Sequence, residues 1–327
     1  MTAAFLKMKK FLFLTLALGT ACAAVAQQPY PSRPIQIVVT AAPGSSADIL
    51  ARIFGDELGR QLAQPVLVDN RPGAGGNIAA ELVARAKPDG YTLLLATIST
   101  HGINPSLYAS MRFDPIKDFA PISLLASSPN VLVVPAAFPA QSIKDLVALA
   151  KSKPGELSFS SGGSGTSQHL AGEMFATATG TKLLHVPYKS APQSMNAVLA
   201  SEVNMAFVSV PVALTQAKSK SVRALGVTTL APVSTWPELP TIASQGLPGF
   251  NVSAWFGLAA PAGTPPAVIE RLVASAHKVI ALPAVKSKLQ DQGLETVSDT
   301  PVEFAAFIKS EIARWGDVVK ASGAKLE

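Results

Sequence analysis

The sequence predicts an α/β protein of two domains, each built on a mainly parallel sheet flanked by helices. Strand-like runs alternate with helix-period segments along the chain, the pattern of βαβ units. The alternation occurs twice, and each half contains a strand, then a Gly/Ser loop, then a helix. At 327 residues the chain is long enough for two cores. No sequence repeat of solenoid type is present.

In the first half, Ile35-Gln36-Ile37-Val38-Val39 reads as a buried strand. Ser46 to Leu62 reads as a helix, with Ile49, Leu50, Ile53, Phe54, Leu58 and Leu62 on one face. Val66-Leu67-Val68 is a second strand, "NRPGAGGN" (70–77) a loop, and a short helix follows through Ala86. Tyr91 to Ala96 is a third strand. In the second half, Asn130 to Pro135 is strand-like and Ser142 to Lys151 helical. Leu157 to Ser160 is a short strand entering "SSGGSGTSQHLAGEMF" (160–175), where Gly180 stops the helix. Leu183 to Val186, Val203 to Val208 and Val222 to Val227 are further strands.

The last segment starts near Phe250, with a strand in "NVSAWFGLAAPAGTPP" (251–266). Thr264 is positioned to cap the next helix, with Pro265 at its first position. Thr300-x-x-Glu303 is a capping box. The helix it opens carries Phe304, Phe307, Ile308, Trp315 and Val319 at helical spacing, which is the pattern of core packing.

The N-terminus reads as a secretory leader, residues 1–26. Lys7, Lys9 and Lys10 precede an apolar run from Phe11, and Ala24-Val25-Ala26 is a small-residue cleavage site. Cys22 is preceded by Gly19-Thr20-Ala21, without the aliphatic residue of a lipoprotein signal, so the expectation is cleavage after Ala26. Removing 26 of the 327 residues leaves 301 and takes away the only cysteine, so thiol chemistry and disulfides are not expected. Three of the six net positive charges leave with those lysines, and the remaining +3 is mild. Basic residues are scattered and aromatics few, which argues against a nucleic-acid partner.

The chemistry-bearing stretch is "VVTAAPGSSADILARIFG" (38–55). Ser45-x-x-Asp48 has capping-box spacing, and Asp48 complements the helix dipole. Pro43-Gly44 exposes backbone ahead of that helix, which suits either an ordinary strand–helix turn or an anion at the free N–H groups. G-x-G-x-x-G, G-x-x-x-x-G-K-[ST] and G-x-S-x-G are all absent. The histidines His101, His169, His185 and His277 lack metal-helix spacing, and neither metal nor cofactor is expected. The loop Ser160–Ser167 also follows a strand and opens a helix. Two helix N-termini aimed at one cleft, each of roughly +0.5 charge, could hold a carboxylate without an arginine. Hydroxyls of Ser45, Ser46, Ser161, Thr166 and Ser167 could add hydrogen bonds.

Six landmarks in order make the sequence similar to a known family: "AAPGSSADILAR" (41–52), "NRPGAGGNIAAELVARAKPDGYTLL" (70–94), "DFAPISLL" (118–125), "SSGGSGTSQHLAGEMF" (160–175), "HVPYKSAPQ" (185–193) and "WFGLAAPAGTP" (255–265). The chain resembles the Bug-type receptors, the extracytoplasmic solute-binding component of tripartite tricarboxylate transporters. The resemblance implies a two-domain periplasmic binding protein, type II-like, that closes on its ligand as a flytrap. Domain 1 would combine 27–125 with 252–327, and domain 2 would be 126–251. It further implies a monomer that binds a di- or tricarboxylate or an aromatic acid and delivers it to membrane subunits of such a transporter. Ligand contacts would come from Ala42, Gly44, Ser45, Ser46 and Asp48 in the first loop. The second loop would supply Ser161, Gly162, Gly165, Thr166 and His169, with Ser99 and Ser209 beside them.

The chain departs from the family pattern at Ser45 in place of a second Gly, at Ser190 in place of Gly, and at Ser209 where Asp is common. Ser209 removes a partner for a ligand ammonium, which argues against an amino-acid ligand. Two rival readings are an exported hydrolase using Ser164 or Ser161 with His169, and a periplasmic sensor partner of the same fold. The leader reading is tested by intact-mass measurement on periplasmic extract. The expected N-terminus is Gln27; a lipid-bearing N-terminus at Cys22 would overturn it.

Overall fold

The structure is a computed structural model that describes residues 30–322. The leader ending at Ala26, with Cys22, lies outside the described residues. From Arg33 onward the chain packs as one compact unit. Its first third holds β1 (Ile35–Val39), α1 (Ser46–Leu62), β2 (Val66–Asn70), α2 (Asn77–Ala84), β3 (Thr92–Thr97) and the one-turn α3 (Asn104–Leu107). The middle holds β4 (Phe119–Pro135), α4 (Ile143–Ser152), β5 (Ser158–Ser161), α5 (Ser167–Thr179), β6 (Leu184–Pro187), α6 (Ala191–Leu199), β7 (Met205–Ser209), α7 (Val210–Lys218) and β8 (Val222–Val227). The chain ends in β9 (Ser253–Pro261), α8 (Pro266–Ala281), α9 (Pro283–Asp291), β10 (Glu295–Thr296) and α10 (Pro301–Ser322).

The strands follow the order β2-β1-β3-β9-β4-β7-β5-β6, with β8 and β10 also paired to β4. β1 pairs in parallel with β2 and β3, and β5 pairs in parallel with β6 and β7. These two parallel groups are the βαβ halves expected from the alternating pattern. Between them run β4 and β9, antiparallel to each other and to their neighbours. Residues Phe119–Pro129 of β4 pair with β9, and Asn130–Pro135 pair with β7 and β8.

Only Asn130–Pro135 of this strand is predicted from the sequence, yet β4 is 17 residues long. Pro121 and Pro129 read locally as breakers. The register with β9 shifts between Pro121 and Ser123 and again between Leu124 and Ala126, an irregularity that lets Pro121 enter the strand, while Pro129 pairs in regular register with Ser253 where β4 passes from β9 to β7. Thr264 is also used differently. Its hydroxyl donates to the Pro261 carbonyl (2.7 Å) and closes a turn, so α8 starts one residue later, with Pro265 as N-cap and Pro266 at N1.

Helix starts otherwise follow local sequence. Ser142, Thr166 and Ser190 each accept the N–H three residues on. Thr300 and Glu303 exchange hydrogen bonds of 2.8 and 3.2 Å as a capping box. α10 buries Phe304, Ile308, Trp315 and Val319, as its spacing predicts. On the same helix, the buried Glu311 accepts the indole N–H of both Trp255 (2.9 Å) and Trp315 (2.8 Å).

Phe304 lies on β9 at Gly257, where a Cβ would collide with the aromatic ring. Overpacking of this kind costs about 1–3 kcal/mol. Gly257→Ala is therefore expected to lower the urea midpoint without changing the m-value; a wild-type midpoint would contradict the packing.

Candidate functional site

In open α/β sheets, ligands bind beyond the carboxyl ends of parallel strands, where loops turn into helices. Here those ends are the β1–α1 loop and the turn after β3 in one half, and the β5–α5 loop and the β7–α7 junction in the other. Every sequence-predicted site residue lies in one of these four places or in the first turn of α1 or α5.

In the first loop, Ala42, Pro43 and Gly44 are exposed, and Gly44 has φ +79°, a region open to glycine. Ser45 is the N-cap of α1, and its hydroxyl accepts the Asp48 N–H (3.3 Å). Asp48 is only 3% exposed. Its carboxylate accepts the Gly44 N–H (2.9 Å) and Arg52 Nε (3.1 Å), and Arg52 Nη2 lies 2.8 Å from the other oxygen. Burial pushes this carboxyl up, but hydrogen bonds from Arg52, the Gly44 N–H and Asn70 outweigh it and hold it below its ordinary value. Asp48 and the Gly44 N–H thus shape the loop and are spent inside it. The N–H groups of Ser46 and Ala47, the first two positions of the helix, find no acceptor among the described residues.

The second loop is built alike. Thr166 caps α5 by accepting the His169 N–H (3.3 Å) and donates to the Gly163 carbonyl (2.8 Å). Gly162 N–H is taken by Gln168 Oε1 (2.8 Å) and Gly165 N–H by His169 Nδ1 (3.2 Å). Ser161 is buried, accepts the Gly163 N–H and lies 2.7 Å from His185 Nε2. The predicted ligand contacts Ser161 and His169 therefore point into the loop's support, because their polar atoms satisfy loop N–H groups. Ser167 and Gln168, the first two positions of α5, keep N–H groups with no acceptor among the described residues.

A chain of contacts links the two loops. Thr40 and Thr100 both pack on Gly76, where an added Cβ would stand 2.8 Å from Thr40 Cβ and 2.9 Å from Thr100 Cγ2. Ser99 then donates its hydroxyl to the Gly165 carbonyl (3.0 Å). Gly165 has φ +78°, and a Cβ there would lie 3.1 Å from Leu107. Ser209 caps α7 without a side-chain bond of its own and pairs in register with Asn130, whose amide donates to Ser167 Oγ (3.3 Å). Ser99 thus touches the second loop directly, whereas Ser209 is linked to the start of α5 only through its register partner Asn130.

Sequence reasoning passed over three residues at this site. His185 stacks on His169 with ring centroids 4.0 Å apart. Asn130 ties β4 to α5. Asn104 is fully buried, donates to the Gly75 carbonyl (3.1 Å) and Asn77 Oδ1 (2.7 Å), and has no partner for its own Oδ1 among the described residues. Only "HVPYKS" carried a signal, for His185; the others depend on contacts distant in sequence.

Among the described residues no three of His, Cys, Asp and Glu come together as a metal-binding group. No helix among them is long and apolar enough to cross a membrane. His101 is wholly buried beside Phe119, and burial pushes its imidazole down to about 3. His277 Nε2 donates to the Asp299 carbonyl (2.8 Å), fixing α8 to the segment before α10, away from the four loop positions. Two surface grooves lie elsewhere, one along Gly55–Val66 and one along Pro187–Glu202, and neither includes the loops described above.

Comparison with known proteins shows the family. Residues 50–324 match the family described as the tripartite tricarboxylate transporter family receptor. A UPF0065 protein in the tcbD-tcbE intergenic region of Pseudomonas sp. (strain P51) is 41% identical over 291 residues, 89% of this chain and 86% of that protein. The solved structure of R. palustris Rpa4515 with adipate superposes with a TM-score of 0.83 at 33% identity, covering 91% of this chain and 100% of that one. MatC from Rhodopseudomonas palustris with bound malate gives 0.79 at 30% identity, over 89% and 100% of the two chains. Sequence match across nearly the whole chain and the same architecture in those structures agree: this chain belongs to the tripartite tricarboxylate transporter receptor family.

Proposed function

We propose that the protein is an extracytoplasmic solute-binding receptor that captures a small carboxylate, a di- or tricarboxylic or aromatic acid, and presents it to a tripartite tricarboxylate-type transporter. The observation that carries the reading is the pair of helix starts with free N–H groups at Ser46, Ala47, Ser167 and Gln168, in loops without lysine or arginine. Hydrogen bonds to a charged group contribute roughly 1.5–3 kcal/mol each, so three or four of them suffice to select an anion. The two related structures hold adipate and malate, both dicarboxylates. Ser209 in place of an acid leaves no partner for an ammonium beside the second loop, which favours acids without an amine.

The protein is a receptor without catalysis of its own. Ser161 and His185 form the one serine–histidine contact near the loops among the described residues. Burial, with the His169 ring beside it, pushes the His185 imidazole down to about 3, which makes it a poor general base at neutral pH. Among the described residues no carboxylate orients that ring, and the Ser161 hydroxyl is bonded within its own loop.

Ser46→Pro tests the anion reading. Proline is well tolerated at the first helical position, and Ser45, at φ −75° and ψ 161°, already has the backbone a following proline requires. The variant deletes one N–H and leaves the helix. Calorimetric titration with adipate and malate is expected to show affinity down about tenfold or more for whichever binds the wild type, with thermal stability within about 0.5 kcal/mol. Unchanged affinity would reduce the loop to a plain turn.

Closure of domain 1 (27–125 with 252–327) on domain 2 (126–251) about β4 and β9 is part of the same proposal. The radius of gyration from small-angle scattering is expected to fall at saturating ligand. The same radius with and without ligand would contradict a flytrap that opens in solution.

A further inference from the structure

The β5–α5 loop rests on two imidazoles. Phe159, His185 and His169 form a stack, with centroids 4.9 Å apart for the first pair and 4.0 Å for the second. The far side of the stack holds the loop in two places: His169 Nδ1 accepts the Gly165 N–H (3.2 Å), and His185 Nε2 lies 2.7 Å from the Ser161 hydroxyl that receives the Gly163 N–H. An N–H can be accepted only by an unprotonated ring nitrogen. His169 is therefore the tautomer with its proton on Nε2, which faces Glu173 Oε1 at 3.5 Å. Charging both rings would place two cations about 4 Å apart, which is strongly disfavoured away from water.

We propose that His169 and His185 are positioning residues for the Ser161–Thr166 loop, so that presenting this loop to ligand requires the stacked pair to stay uncharged and ligand binding is coupled to proton release from it. The inference rests on the reading of that loop as ligand-binding. Groups packed around the pair give it little compensation. Among the described residues Glu173 on α5 is the one carboxylate paired with either ring, at 3.5 Å from His169 Nε2 and with its own side chain partly open to solvent. β5, β7 and α6 carry no titratable side chain, and β6 carries only His185 itself. On α10, which packs on α5, Glu311 is occupied by Arg314 and two tryptophans.

The sign follows from burial. The loop-engaged state depresses the His185 imidazole below its ordinary value, so the stabilisation is complete above the free-imidazole range and is lost as pH falls through it. With one linked proton and a released-state value of about 6.5, affinity falls up to about tenfold between pH 7.5 and 5.5.

The test uses adipate and malate as probes and three variants. Asparagine places an amide oxygen where Nδ1 stood but does not titrate. His185→Gln is expected to flatten the pH profile, and His169→Asn, which keeps an acceptor for the Gly165 N–H but alters the support of the loop, to bind a few-fold more weakly than wild type at pH 7.5 and to flatten the profile as well. His169→Leu removes the acceptor and is expected to bind about tenfold more weakly at every pH. Ionisation of the probe itself is common to all four proteins and cancels. A profile for His169→Asn identical to wild type overturns the proposal. A second readout needs no ligand: ¹⁵N spectra of the free wild-type protein should show His169 as the Nε2–H neutral tautomer, with the Gly165 amide signal moving as the pair takes up a proton. A His169 that titrates while the Gly165 amide stays still also overturns it. If neither acid binds, the dicarboxylate form of that reading fails and the tautomer measurement still decides the role of the pair.

Discussion

Backbone N–H groups left over at the starts of α1 and α5 set the design of this protein. A helix start has four donors without intrahelical partners. In each loop a hydroxyl cap takes one of them: Ser45 for Asp48, Thr166 for His169. A side chain four residues into the turn then takes an N–H from the loop itself: the Asp48 carboxylate holds Gly44, and the His169 ring holds Gly165. What remains at each end is a pair of adjacent donors, fixed in direction and backed by the helix dipole. The two halves arrive at the same arrangement with different chemistry, a buried carboxylate paired with a half-exposed arginine in one and an imidazole stack in the other.

The sheet decides where these ends sit. β1, β3, β5 and β7 present their carboxyl ends to the loops, while β4 and β9 run between the parallel groups and hold them in one sheet. The antiparallel pair is anchored from behind by α10, where Phe304 covers Gly257 and Glu311 binds the indoles of Trp255 and Trp315. A carboxylate at 5% exposure is tolerable there because both oxygens are occupied, by Arg314 on one and the two indoles on the other. The two loops are thus mounted on strand ends and helix starts, and a change in the angle between the halves would move the loops as units.

Much of this was legible in the sequence where the cause is local. Ser45, Thr166 and Ser142 cap helices that their own following residues define, and Thr300-x-x-Glu303 is a complete capping box within four residues. The aromatic spacing of α10 likewise reports its buried face. What was not legible depends on partners far along the chain. The full length of β4 needs β9, more than a hundred residues away, whose register shifts next to Pro121 and which pairs with the strand on to Pro129. The inward turn of Ser161 needs His185, and the contact of Ser99 with Gly165 needs both halves folded. Asp48 was the exception: Arg52 stands one turn on, within reach by helical spacing, and marks the carboxylate as a structural one.

The central claim is that one ligand carboxylate engages both helix starts. Backbone amide shifts during titration of the isotope-labelled protein with adipate or malate test it most directly. The account predicts that Ser46, Ala47, Ser167 and Gln168 move downfield together and saturate at one concentration. Shifts confined to a single helix start, or centred on the Pro187–Glu202 groove, would contradict it.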